Sequence, residues 1–386
     1  MFKRWFSIGR DKSCLVIGPR RCGKTTFLKQ TFADYEYVTF DDLDYLSWAR
    51  KDPKGFIASL GKRAVIDEIQ RAPELTVAVK YALDNLGARF IMTGSSSLGL
   101  LDSAADTLAG RIDIHSLPTA CWGEDAGEAQ HQIFIDSLSP VSIKEAQRLL
   151  SHALVYGQFP EVLTTQTDEA KHQLLNGYKN SYFTRDLMQL ANIENLEGLL
   201  SVFHNLARSI GSHLEVSNFA RESGMSHPTT KKYLNALNQS QLTFRLLGYQ
   251  FGPAKRYIKA AKTYFCDNGV ATGLGVQLTE GQRLENFVIS ELEKRRKLGF
   301  IECEQFYYYK SAAGREIDLI YESRGVLHAV EIKSTARPGR KDFRALREFR
   351  DGTNRPVKCY LCYTGESFEV KDGIALIPAA TLFRGK

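Results

Sequence analysis

No uninterrupted apolar run in this sequence approaches the roughly 18 residues that a membrane-spanning helix needs. The seven cysteines are an odd number without regular spacing, which argues against a disulfide framework and for reduced thiols in the cytoplasm. Cys359 and Cys362 are spaced as a CxxC pair, but no second such pair exists, so we expect no zinc site. With 386 residues, 43% hydrophobic and 25% charged, the chain is expected to form two or three globular domains.

A glycine-rich segment near the start carries the clearest chemical signal. Residues 18–25 read GPRRCGKT and satisfy the pattern G-x-x-x-x-G-K-[ST], between an apolar run at 14–17 and a predicted first helical turn. Such a loop directs backbone N–H groups at the phosphates of a nucleotide such as ATP. We expect Lys24 to reach the β- and γ-phosphates and Thr25 to hold Mg²⁺. The predicted ATP-contacting residues are Gly18, Pro19, Arg20, Arg21, Cys22, Gly23, Lys24, Thr25 and Thr26.

Two further apolar segments predict the other parts of a nucleotide site. The segment AVIDE at 64–68 indicates a buried strand that ends in carboxylates, with Asp67 as a metal ligand and Glu68 as the base that orients the attacking water. The segment RFIMTGSSS at 89–97 indicates a second buried strand. Because the carboxyl ends of parallel strands face the ligand, Thr93 or Ser95 would sense the γ-phosphate. A plain turn closing the strand is the alternative for these hydroxyls.

Arg111 is the candidate for an arginine that acts on a neighbouring subunit. It opens the predicted strand at 112–114, in the segment AGRIDI. An arginine inserted at a neighbour's γ-phosphate stabilises the charge of the transition state. An ordinary surface arginine is the alternative interpretation.

The middle of the chain carries a stretch without acidic residues. Between Pro228 and Lys262 there are seven Lys and Arg and no Asp or Glu. Predicted short helices at 216–223 and 228–237, a glycine turn between them and a β-rich segment after them favour a winged helix-turn-helix. The predicted nucleic-acid contacts are Lys231, Lys232, Lys255 and Arg256. A lid or a protein-contact domain is the alternative role of such a fold.

The last third predicts a second site. Strands at 314–321 and 326–332 would place Asp318 beside Glu331 and Lys333, and the latter two share a face because side chains repeat every two residues. Asp318 and Glu331 would bind Mg²⁺, while Lys333 would stabilise the transition state of phosphodiester cleavage. A cross-strand salt bridge without catalysis is the alternative. The arrangement Asp318, hairpin, Glu331-x-Lys333 resembles the PD-(D/E)xK nucleases.

Taken together, GPRRCGKTT, AVIDEIQRAP, FIMTGSSSL and LAGRIDIHSLP resemble the AAA+ ATPases. The chain is most similar to a bacterial and archaeal subgroup in which the ATPase is fused to a C-terminal half of poorly known function. The resemblance implies an α/β fold: a P-loop AAA+ parallel sheet (1–135), a helical lid (136–210), a winged-helix-like region (211–270) and a restriction-endonuclease-like core (271–386). It also implies a homo-oligomeric ring or partial ring. The expected function is ATP hydrolysis coupled to nucleic acid, DNA more than RNA. The alternative is a nucleotide-gated switch that binds a protein partner.

Overall fold

The computed structural model describes residues 2–94, 107–127, 139–181, 188, 193–250 and 261–382. The chain divides into two compact units. The N-terminal unit comprises Phe6–Thr119 with Ala236–Gln241, and the larger unit comprises Met1–Trp5, Ala120–Asn235 and Leu242–Lys386. In the described ranges, no helix is both long and apolar enough to cross a bilayer.

The N-terminal unit is an α/β structure around a parallel sheet. Its described strands are β1 (Ser13–Ile17), β2 (Glu36–Thr39), β3 (Arg63–Asp67), β4 (Arg89–Gly94) and β5 (Ile112–Ser116). Its helices are α1 (Lys24–Thr31), α2 (Leu43–Lys51), α3 (Pro53–Ser59) and α4 (Leu75–Asn85).

The strand order in this sheet is β2-β3-β4-β1-β5, and every neighbouring pair is parallel. Strands β1, β3 and β4 are almost continuously apolar because helices cover the sheet, and Leu15, Ile66 and Phe90 lie in one buried core. The predicted parallel sheet is confirmed.

The larger unit combines helices with a mixed sheet. Its helices are α5 (Pro140–Tyr156), α6 (Pro160–Thr164), α7 (Asp168–Tyr178), α8 (Leu196–Arg208), α9 (Val216–Glu222), α10 (His227–Gln239, whose last residues belong to the N-terminal unit), α11 (Asn268–Gly273), α12 (Glu280–Lys297) and α13 (Arg344–Asp351). Its strands are β6 (Thr243–Gly248), β7 (Lys262–Phe265), β8 (Tyr307–Lys310), β9 (Glu316–Ser323), β10 (Val326–Lys333), β11 (Val357–Tyr363), β12 (Glu369–Lys371) and β13 (Ile374–Pro378).

The order in this sheet is β12-β13-β11-β10-β9-β8-β6-β7. Strand β10 is antiparallel to β9 and parallel to β11, and α13 forms the crossover between β10 and β11. Strands β6 and β7, which lie in the predicted winged-helix-like region (211–270), therefore continue the C-terminal sheet. The four-part division of the chain stays a prediction.

Candidate functional sites

The phosphate-loop segment lies between β1 and α1, as the motif requires. A Cβ on Gly18 would lie 2.2 Å from the carbonyl oxygen of Leu117, so a side chain has no room there. Gly23 caps α1 with φ of 95°, a left-handed conformation that favours glycine. The Lys24 ammonium lies inside the loop, with Nζ 2.9 Å from the Gly18 carbonyl oxygen and 3.1 Å from that of Pro19. The loop thus curls around the buried Lys24 ammonium.

The other predicted ATP-contacting residues lie around the Lys24 ammonium and differ in their exposure to solvent. Pro19 and Cys22 are buried, Arg20 and Thr26 are half-buried, and Arg21 is exposed with φ of 62°. Because Arg21 also adopts the left-handed conformation, the loop bends sharply on both sides of Cys22.

Asp67 is the centre of the hydroxyl network beside this loop. It is 3% exposed, and its Oδ2 accepts hydrogen bonds from Thr25 Oγ1 at 2.8 Å and from the Tyr37 hydroxyl at 2.6 Å. Thr93 donates to Oδ1. Burial and the hydrogen bond to Asp67 raise the pKa of Tyr37 above its ordinary value. Sequence reasoning found Thr25, Asp67 and Thr93 from their motifs, but it missed Tyr37.

These residues fit a magnesium nucleotide. Because the Thr25 hydroxyl donates its hydrogen bond to Asp67, the lone pairs of Thr25 Oγ1 stay available to a cation. Thr25 and Asp67 together offer the oxygen ligands that Mg²⁺ prefers. The buried Lys24 ammonium at the N-terminus of α1 supplies the charge that a polyphosphate needs.

Glu68 occupies an unusual backbone conformation directly after β3. Its φ is 60°, its N–H donates to Thr93 Oγ1 at 3.2 Å, and its carboxylate accepts a hydrogen bond from Gln70. Non-glycine residues rarely adopt this conformation, and such strain concentrates at functional sites. Ser95, the second predicted γ-phosphate sensor, lies outside the described residues.

Arg111 lies at the amino-terminal ends of the parallel strands, whereas the loop of its own chain lies at their carboxyl ends. It precedes β5, whose first residue Ile112 pairs with Ser13 at the start of β1, whereas the loop follows the end of β1. Its side chain is bonded to Asp84, with Nε 2.7 Å from Oδ1. That hydrogen bond raises the pKa of Arg111 and lowers that of Asp84. The arginine therefore does not reach the nucleotide site of its own chain.

The second predicted site assembles in the larger unit. Strand β9 carries Asp318, β10 carries Glu331 and Lys333, and Lys333 forms an ion pair with Glu331. Asp318 Oδ2 accepts a hydrogen bond from the Ile332 N–H at 2.8 Å, and Glu285 on α12 accepts one from Tyr264 at 2.8 Å. Burial first, and the Asp318 charge second, raise the pKa values of Glu331 and Glu285. The acidic groups therefore lie close enough to repel one another.

The cluster has some, but not all, features of a cation site. Within the described residues, Glu331 Oε2 is buried and has no hydrogen-bond partner. No three Asp, Glu, His or Cys side chains in that part of the chain are arranged to hold a metal ion together. Mg²⁺ commonly takes only one or two carboxylates from a protein and completes its shell with phosphate and water. Asp318 and Glu331 thus fit the cation when a phosphate accompanies it.

Lys262, the last residue of the stretch without acidic residues, belongs to this cluster. It lies on β7, is 1% exposed, and has its Nζ 3.1 Å from Glu316 Oε2. Burial opposes its charge, but Asp318, Glu285 and Glu316 together raise its pKa. No periodicity in the sequence reveals this placement, because it depends on β7 joining the C-terminal sheet.

The two helices that the sequence predicted on either side of a glycine turn are present, and the helix-turn-helix role of this segment stays a prediction. Helix α9 ends before Gly224, which has φ of 63°, and α10 follows the short turn. Lys231 and Lys232 are exposed on α10. Lys255 and Arg256 lie outside the described residues.

Comparisons with known proteins agree with the N-terminal geometry. Residues 10–124 match the family described as "AAA domain". The N-terminal region is an AAA-type P-loop domain. Residues 147–280 and 280–382 match two domains of unknown function, DUF8612 and DUF4143. The nuclease-like character of the C-terminal half is therefore an interpretation of its fold and residues.

Similar proteins span most of the chain. An uncharacterized protein of Mycobacterium tuberculosis is 25% identical over 386 residues, which covers 97% of this chain and 81% of that protein. An uncharacterized protein of Methanocaldococcus jannaschii is 26% identical over 316 residues, or 78% of this chain and 70% of the relative. The solved Walker-type ATPase of Pyrococcus abyssi aligns with 68% of this chain and 91% of its own, at 15% identity and a TM-score of 0.43.

Proposed function

We propose that the AAA-type domain binds and hydrolyses ATP. The observation that carries the proposal is the 2.8 Å hydrogen bond between Thr25 and Asp67, beside a loop that encloses Lys24. In this proposal, Lys24 and the loop N–H groups hold the phosphates, while Thr25 and Asp67 hold Mg²⁺. A bound Mg²⁺ neutralises charge on the β- and γ-phosphates.

The remaining residues would act on the terminal phosphate. Glu68 accepts a proton from, or orients, the attacking water, and Thr93 or Ser95 senses the γ-phosphate. Arg111 would act on the site of a neighbouring copy in a ring or partial ring, which is consistent with its place at the amino-terminal end of β5, away from the loop of its own chain. Each chain would then contribute to two nucleotide sites.

The C-terminal half, in this proposal, engages nucleic acid and cleaves it with Mg²⁺. Support comes from the convergence of Asp318, Glu331 and Lys333 on neighbouring strands, with Glu285 on the helix that precedes them. Asp318 and Glu331 would hold the metal, Lys333 would stabilise the phosphate charge, and the bound metal would supply an activated water. The exposed Lys231 and Lys232 would contact the backbone, together with Lys255 and Arg256.

A second candidate function is a nucleotide-gated switch whose C-terminal half binds a protein partner. The observation that favours it is the internal pairing of the acidic cluster. Glu331 is bound to Lys333, Asp318 to the Ile332 N–H and Glu285 to Tyr264, so the cluster has protein partners without a metal. In this alternative, the nuclease-like C-terminal domain would be inactive and would bind a protein partner.

One combined assay separates these functions. ATP hydrolysis is measured with no DNA and with single-stranded, duplex and branched DNA, and cleavage is followed in Mg²⁺ or Mn²⁺ on the same sample. We expect Lys24→Ala to abolish nucleotide binding and DNA-stimulated hydrolysis, and Asp318→Ala and Lys333→Ala each to abolish cleavage. Glu322→Ala is the control for cleavage, because Glu322 lies on β9 but is exposed and paired with Arg355.

The results assign the function directly. Micromolar ATP binding by Lys24→Ala would contradict the loop assignment. Cleavage that survives both C-terminal substitutions would contradict the nuclease assignment. Hydrolysis that no DNA stimulates, with no DNA binding at low salt, would support the protein-binding switch instead.

A further inference from the structure

Tyr37 contacts the proposed metal ligand from an element outside the nucleotide-binding motifs. It lies on the edge strand β2, where Thr39 pairs with Asp67 and Tyr37 pairs with Val65. Tyr37 and Thr39 share one face of β2, because side chains alternate along a strand. That register brings the Tyr37 hydroxyl 2.6 Å from Asp67 Oδ2.

A cation holds the phenol ring in place. The Lys29 ammonium of α1 lies 4.3 Å from the centre of the Tyr37 ring. A tyrosine fixed by a cation–π contact loses little additional freedom when it bonds Asp67. The hydrogen bond is therefore part of an ordered network.

Asp67 needs such partners because it is almost completely buried. A buried carboxylate is costly unless hydrogen-bond donors and charges compensate it. Thr25 and Tyr37 share Oδ2, and Thr93 takes Oδ1, so these hydroxyls fix the orientation of the carboxylate. Groups that orient a metal ligand from behind typically change metal affinity by about 10- to 100-fold when they are removed.

We propose that Tyr37 is a positioning residue that holds Asp67 in the orientation that binds Mg²⁺ beside the nucleotide. The inference rests on the proposed nucleotide function. It assigns Tyr37 to binding of the metal and not to binding of the phosphates, because its hydroxyl contacts Asp67, whereas Lys24 is held by the loop carbonyls.

The test measures metal binding without hydrolysis. Mn²⁺ is titrated into the full chain saturated with a non-hydrolysable ATP analogue, and free Mn²⁺ is followed by electron paramagnetic resonance. Affinity for the analogue is measured separately in EDTA. Tyr37→Phe should weaken Mn²⁺ binding by about tenfold or more and leave metal-free analogue affinity within about twofold. Tyr35→Phe, which removes a hydroxyl from another largely buried tyrosine in the same unit, should leave both unchanged.

The possible results are distinct. If wild-type protein fails to bind the analogue, the proposed function and this inference both fail. If wild-type protein binds it and Tyr37→Phe binds Mn²⁺ as wild type does, the inference alone is overturned. An equal loss of metal-free analogue binding would also overturn it, because it would show a general distortion of the loop. Should Tyr37→Phe not fold, Lys29→Met, which removes the cation over the Tyr37 ring, replaces it, with a smaller loss of Mn²⁺ affinity expected and an unchanged affinity contradicting the inference.

Discussion

Gly18 is a position in the loop where a side chain does not fit. The obstructing atom is the carbonyl oxygen of Leu117, and the N–H of Leu117 donates to the Ile17 carbonyl at 2.8 Å. The chain after β5 is therefore pinned against the point where β1 becomes the loop. A displaced loop would move its N–H groups away from the phosphates.

We predict that Gly18→Ala distorts this point. The added Cβ must displace the Leu117 carbonyl, so the AAA-type domain should lose about 1–3 kcal/mol of stability and ATP affinity should fall. Thermal unfolding and nucleotide titration measure the two effects. Gly9→Ala is the matched control, since no atom lies within 4 Å of its added Cβ. An unchanged midpoint for Gly18→Ala would show that the loop shifts at no cost.

Contiguous motifs explain which site residues could be predicted from the sequence. Lys24 and Thr25 were found because the loop pattern places them at fixed spacing, and Asp67 because it ends an apolar run. Tyr37 could not be found, because its contact with Asp67 depends on the pairing of β2 with β3. The burial of Lys262 could not be predicted for the same reason, since it depends on the pairing of β7 with β6.

At the scale of the element, α12 shows how a charged helix becomes buried. A Thr279–Gln282 capping box starts this helix at Glu280, and its apolar residues, such as Leu284, are buried. Its polar side is covered as well, because the Lys294 ammonium lies 2.7 Å from Glu291, 3.2 Å from Asp267 and 3.0 Å from the Ala120 carbonyl. Apolar periodicity does not reveal such a side, since its burial depends on distant partners.

We predict that Lys294→Met destabilises the larger unit. Removal of the ammonium leaves the Glu291 and Asp267 carboxylates buried without their cation, which costs about 3–5 kcal/mol. Lys297→Met, three residues on, removes a weaker contact at 3.9 Å and should cost less than about 1 kcal/mol. Urea unfolding followed by far-ultraviolet circular dichroism compares them. Equal midpoints for the two variants would contradict this account of α12.

At the scale of the whole molecule, the proposed assembly requires that chains complete one another. Arg111→Ala should keep ATP binding but slow hydrolysis by about 1000-fold. Glu68→Gln, which removes the water-orienting group, should also keep ATP binding and slow hydrolysis by a smaller factor. When the two variant proteins are mixed, an intact Glu68 in one chain can meet an intact Arg111 of its neighbour. Steady-state hydrolysis of the mixture should therefore exceed that of either variant alone.

The control for this mixing experiment is Arg89→Ala. Arg89 is an exposed arginine that begins β4, at the same end of the parallel strands as Arg111, and its loss should leave hydrolysis unchanged. If Arg111→Ala alone keeps full activity, Arg111 has no role in hydrolysis and serves only in its ion pair with Asp84. No recovery on mixing would argue against action between chains.

The extension of the C-terminal sheet by β6 and β7 bears on how the protein can be dissected. The C-terminal family match begins at residue 280, but β8 pairs with β6, which lies at Thr243–Gly248. A fragment cut at that family boundary would expose the backbone N–H and C=O groups of β8 to solvent, a template for intermolecular strand pairing and aggregation. It would also lack Lys262, so Asp318 and Glu285 would lose a compensating charge. Fragments intended for crystallisation or partner screening should therefore begin upstream of β6.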